Sequence, residues 1–133
     1  MLTILRLLFA IILASMLCVT TWASLRCPLF AVPHDVFTHP WFIATMFDTY
    51  WGFTTFFVWV AYKQTAWPAR VAWFVAIMFL GNIAMAAYCL RELGHAPAGT
   101  PLADVLTRRD NATGWLGPVL AAFGVAVVLG AAL

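Results

Sequence analysis

The chain has 133 residues, seven Lys or Arg against five Asp or Glu, and only 9% charged residues in all. With 65% hydrophobic residues and a mean hydropathy of +0.95, it lacks the polar residues to cover a soluble surface, where roughly a quarter are usually charged. A net charge of +2 leaves no patch dense enough to follow phosphates, which excludes a basic nucleic-acid binder.

The first apolar stretch, residues 4–23, is about long enough to cross roughly 30 Å of hydrocarbon as a helix. Thr21 and Ala23 stand where a signal sequence carries small residues before its cleavage point, but the apolar run is longer than a usual signal core, so it is read as a retained span. A loop over 24–40 follows, with Pro28, Pro33 and Pro40 as turn or extended positions. The second stretch, 41–62, carries Trp41, Thr45, Asp48, Gly52, Thr55, Trp59 and Tyr62 at alternating spacings of four and three, which puts them on one helical stripe. A short basic connection, 63–67, leads to a third stretch, 68–90, whose strongest polar group is Asn82. The segment 91–113 is a second long loop, with a short surface helix expected from Leu102 to Arg109. The fourth stretch, 114–133, presents Gly117, Ala121 and Gly124 on one small-residue face, suited to a partner helix or a second copy, and Ala126 and Gly130 on another.

These elements predict an all-α, polytopic membrane protein: one domain over 1–133, built as an antiparallel bundle of four transmembrane helices. Aromatic residues support the boundaries, with Trp22, Trp41 and Trp115 at one interface and Trp59, Tyr62, Trp67 and Trp73 at the other. With four spans, both long loops share one side, and Arg6, Lys63 and Arg70 lie opposite. Arg6 ahead of an apolar run favours a cytoplasmic amino terminus, leaving the loops extracytoplasmic.

The same topology levels Asp48 with Asn82, displaced by about 5 and 4 Å from mid-membrane towards the long loops. Thr45, Asp48, Tyr50, Thr55 and Asn82 then form a buried polar seam, which serves either as interhelical glue or as a proton- or cation-binding centre. In the long loops, His34, Asp35, His39 and His95 hold enough nitrogen and oxygen for a metal site, although their spacing matches no metal-ligand signature. No histidine lies inside a span to hold a heme. Cys27 and Cys89 fall at the same expected boundary, so a disulfide is possible on an oxidising side, but free buried thiols are the simpler reading. Asn111-Ala112-Thr113 fits a glycosylation acceptor and is assigned no role. No motif requires a cofactor.

The string Trp22-Ala23-Ser24, His39-Pro40-Trp41-Phe42, Ala44-Thr45, Asp48-x-Tyr50 and Val58-Trp59-Val60-Ala61-Tyr62-Lys63 resembles an uncharacterised family of small membrane proteins found in bacteria and plants, over about residues 20–92. The resemblance implies a multi-helix membrane fold and brings no activity, cofactor or catalytic residue.

Three functions fit these features. The first is a non-catalytic accessory or structural subunit of a larger membrane complex, in contact with lipid and with other subunits or further copies of itself. The second is a small oligomeric proton-coupled carrier or channel centred on Asp48. The third is an interfacial metal- or lipid-binding protein or enzyme using His34, His39 and His95. The absence of a recognisable catalytic constellation leans away from an enzyme.

Overall fold

A computed structural model describes residues 1–97, 99–110 and 114–132. The described residues hold helices and no strand: α1 (Leu2–Arg26), a 3-10 turn (Leu29–Ala31), α2 (His34–Phe37), α3 (Pro40–Lys63), α4 (Trp67–Leu80), α5 (Asn82–Gly94), α6 (Leu102–Thr107) and α7 (Leu116–Ala132). Among the described residues, only α1 is at once long and apolar enough to cross a membrane by length and composition. The acceptor motif at 111–113 lies outside the described residues.

The third stretch departs from the expected single rod. Gly81 takes φ +52° and ψ −125° and divides it into α4 and α5, of 14 and 13 residues. A side chain would be strained at that φ, and a Cβ built on Gly81 would stand 2.5 Å from Cζ of Phe53. The chain therefore reverses. Trp73 of α4 meets Tyr88 of α5 with ring centroids 4.8 Å apart, as an antiparallel hairpin requires. Each arm is about 20 Å long, well short of the roughly 30 Å of a hydrocarbon core.

The reversal changes which ends meet. The carboxyl end of α5 returns to the end where α3 stops and α4 begins, and the start of α1 joins it there, with Arg6 donating to Leu93 O at 2.7 Å. The segment 95–110 runs across the same end, where Asp110 N donates to Lys63 O at 2.8 Å and Thr65 N to Asp110 O at 3.1 Å. The two long loops thus lie at opposite ends, contrary to the four-span expectation, and the second connection sits beside the third loop. We call this the charged end and the other, with the loop 27–39, the far end.

Packing gathers around the hairpin. Val60, Trp73, Ala76, Ile77, Ala84 and Tyr88 form the core, with Phe56, Phe57 and Trp59 of α3 and Leu116, Leu120 and Ala121 of α7 closing on it. Small residues set the approach of α7 to α4: a Cβ on Gly117 would lie 3.0 Å from Trp73 Nε1, and one on Gly124 2.9 Å from Phe79 Cβ. The Gly117, Ala121 and Gly124 face is therefore consumed within the chain and is not left for a partner. Trp73 belongs to the core, not to an interfacial belt. Trp115 starts the helix that leaves the charged end, opposite to where the four-span arrangement puts it.

Candidate functional site: a buried ionic cluster and an apolar cleft

Lys63 ends α3, and its side chain is fully buried. Its ammonium lies 2.6 Å from Glu92 Oε2 on the last turn of α5, donates to Val105 O of α6 and sits 5.2 Å from the centroid of the Trp59 ring. Glu92 Oε1 accepts from Arg91 Nη1 at 2.7 Å, and Arg91 Nη2 reaches Asp110 Oδ2 at 2.5 Å. Oε2 has no hydrogen bond of good geometry and is held by Lys63 as an ion pair, with Arg108 Nη2 at 4.0 Å. Charges so sheltered cost several kcal/mol each to desolvate, and the alternation of cation and carboxylate is what offsets that cost.

The cluster ties four elements at one point. Lys63 fixes α6 through Val105 O, and Trp59 Nε1 adds a bond to Leu106 O at 3.0 Å. Arg109 Nε donates to Tyr62 O at 3.1 Å, with its guanidinium 5.1 Å from the Tyr62 ring centroid. Deeper in, the buried Gln64 amide donates to Tyr88 Oη at 3.2 Å, and Arg70 Nε donates to Gln64 O at 2.6 Å. Both carboxylates of the cluster are held by cations, so its chemistry is that of a fastener: it pins the third loop over the mouth of the helices.

Beside it lies an apolar cleft of about 630 Å³ between α1 and α3, floored by α5 and roofed by α6. Phe9, Phe56, Trp59, Cys89 and Leu106 line it, and Glu92 stands on its wall. Across Leu102, which borders both, is a more polar hollow of about 420 Å³ lined by Thr3, Arg6 and Thr100. Arg6 also donates from Nη2 to Leu93 O and Ala96 O, and its Nε is buried without a hydrogen-bond partner.

The residues singled out from sequence lie elsewhere. Asp48 and Asn82 are both exposed, and no seam forms between them. Asn82 follows the hairpin tip, which abuts Phe53; Asp48 is five residues further from the charged end, about 7.5 Å along the helix axis and more than a turn out of level. Thr45 and Thr55 bond within α3, to Trp41 O and Trp51 O, and Tyr50 is exposed with its ring against Phe53. The histidine and aspartate set is divided by the hairpin, with His34, Asp35 and His39 at the far end and His95 at the charged end, and no metal-holding group of three occurs among the described residues. The Cys27–Cys89 pairing fails for the same reason. Cys89 lines the cleft with Phe9, and Cys27 lies 18 residues further along α1, about 27 Å away by helical rise. All three cysteines are free.

Sequence reasoning missed the Lys63–Glu92 pair because an unbroken third span puts those residues on opposite sides. The available signal was Gly81-Asn82, the one glycine in the run 68–90 followed by a turn-forming residue.

A family model described as "Protein of unknown function (DUF1475)" matches residues 1–114. Neither the curated proteins nor the solved structures contain a match.

Proposed function

We propose that this chain, which belongs to the DUF1475 family, is a multi-pass membrane protein acting as a non-catalytic subunit of a larger membrane assembly, docked through the Asp48 stripe of α3. In this arrangement α1, α3 and α7 cross the bilayer and the α4–α5 hairpin enters from the charged end and returns to it. Arg6, Lys63, Arg70, Arg91, Arg108 and Arg109 then share one side, and only Arg26 lies on the other. Under the positive-inside rule, this asymmetry makes the charged end cytoplasmic, together with the amino terminus. The charges balance between sides only if the third stretch is counted as a full span.

One observation carries the subunit reading. Asp48 stands exposed in the middle of α3, below the reach of the hairpin, and makes no hydrogen bond or ion pair with any described residue. A carboxyl group on a lipid-facing helix costs about 2.5–3.5 kcal/mol on insertion scales, and such groups almost always face protein or a water-filled cavity. Gly52 on the same stripe has no atom within 4 Å of where its Cβ would be, so a second helix can approach there. A partner helix offering a hydrogen-bond donor opposite Asp48 meets both demands.

The test is the size of the assembly after mild solubilisation of native membranes. Wild-type protein and Asp48→Asn are expected to migrate in a complex larger than the detergent-bound chain, and Asp48→Leu in the smaller form. A wild type already in the smaller form, or an Asp48→Leu variant retained in the complex, contradicts the reading.

A further inference from the structure

We infer that the apolar cleft and the polar hollow beside it are the two parts of one binding site for an anionic phospholipid of the surrounding leaflet, its acyl chain in the cleft and its phosphate in the hollow. The inference rests on the membrane placement proposed above and not on the Asp48 contact.

Three features of the site point to that ligand. First, the cleft lies within the roughly 300–1,000 Å³ typical of small-molecule sites, and its lining is almost wholly apolar, with Leu5 and Phe9 facing Phe56 and Trp59 across a floor that includes Cys89. Such a space suits a hydrocarbon chain. Its one carboxylate, Glu92, is already held by Lys63 and Arg91 and so does not repel an anion. Second, the hollow beyond Leu102 is lined by Thr3, Arg6 and Thr100. Thr100 gives its hydroxyl hydrogen to Pro97 O, and Arg6 Nη2 is engaged by Leu93 O and Ala96 O, which leaves the Thr3 hydroxyl and the guanidinium charge to meet a phosphate. Third, the charged end carries six basic side chains against Glu92, Asp104 and Asp110, and Arg108 and Arg109 are exposed beside the α6 roof. That excess favours an anionic headgroup over a zwitterionic one.

The direction of approach follows from the fold. α1 packs on α5 and α3 packs on α4, so the gap between α1 and α3 opens sideways, where a chain can slide in from the bilayer. The α6 roof, fastened by Lys63 and Trp59, closes the site towards the aqueous phase.

The experiment uses full-length protein in nanodiscs containing a phosphatidylglycerol whose acyl chain ends in a photoreactive diazirine, and the matching phosphatidylcholine. Irradiation and peptide mapping are expected to place adducts on Phe9, Phe56, Cys89 or Leu106, with the phosphatidylglycerol favoured by about 5-fold for each arginine engaged. Arg6→Gln should lower that preference, and Cys89→Trp, which fills the cleft, should remove the cleft adducts while leaving those on exposed helix faces. Soluble glycerol phosphate in excess should not displace the lipid, since it lacks the chain; full displacement would mean that the hollow binds a free phosphate. Adducts confined to the exposed faces of α1, α3 and α7 in wild-type protein, or equal labelling by the two lipids, would overturn the inference. Carbonate extraction of the source membranes separates this outcome from a failure of the membrane placement, since a chain released by carbonate was never embedded.

Discussion

Towards the charged end, Val60 and Tyr88 have no exposed surface, Lys63 and Glu92 are sealed from solvent, and Arg6 and Lys63 tie α1 to α5 and α3 to α6. Towards the far end, every residue from 17 to 31 is exposed, and of the 24 residues of α3 only Val60 and Lys63 are buried. The helices continue, but the packing does not. The difference tracks the depth of the α4–α5 hairpin: where it reaches, it gives α1, α3 and α7 a common surface, and beyond its tip at Gly81 they project without one. Helix length is thus set by the apolar composition of each stretch and tertiary structure by the hairpin, which is why one end of the molecule resembles a folded core and the other an interface awaiting lipid or protein.

The comparison can be broken most severely at the ionic cluster. Glu92→Leu leaves Lys63 buried and uncompensated, and is expected to cost about 3–5 kcal/mol, read as a drop in thermal midpoint in detergent. Lys63→Met combined with Glu92→Leu should recover most of that loss, because removing both charges removes both desolvation penalties. A double variant as unstable as the single one would show that the pair is not the cause. Gly81→Ala comes next, at upwards of about 1–3 kcal/mol from backbone strain alone, with the Phe53 contact adding to it. Combining it with Phe53→Ala should relieve the steric part and leave the strain. Trp59→Phe keeps the aromatic packing against Tyr88 but removes the bond to Leu106 O, for about 1 kcal/mol, and should raise protease sensitivity of the segment 95–110 before that of the helices. Gly130→Ala at the far end has open space around it and is expected to stay within about 0.5 kcal/mol. A large loss there would show that the far end is packed after all.

The helices were legible in the sequence, but the division between the two ends was not. The bounds 41–62 and 114–133 fall close to α3 and α7, because Pro40, Lys63 and Leu116 mark where apolar runs start or stop. Asp104 near the start of a short helix after Pro101 identified α6. The third stretch was misread because hydrophobicity alone cannot distinguish a 23-residue rod from two short arms: both bury apolar side chains, and only the backbone at Gly81 separates them. The errors about the seam, the histidine set and the cysteine pair follow from that one. An unbroken span puts Glu92 beside His34 and Cys27 and far from Lys63, and it levels Asn82 with Asp48. The polar stripe on α3 is not the face that packs: Asp48, Gly52, Thr55 and Tyr62 are exposed, and Phe53, Phe56, Phe57 and Val60 meet the hairpin instead.

The hairpin is the central claim, and thiol accessibility in sealed, oriented membrane vesicles tests it most directly. Single cysteines are placed at position 67 as Trp67→Cys and at position 94 as Gly94→Cys, with native Cys27 as the reference for the far end, each in a background lacking the other thiols. The account predicts that an impermeant maleimide labels positions 67 and 94 from the same side and Cys27 only from the opposite one. Labelling of position 94 together with Cys27, and apart from position 67, would restore four full spans and contradict it.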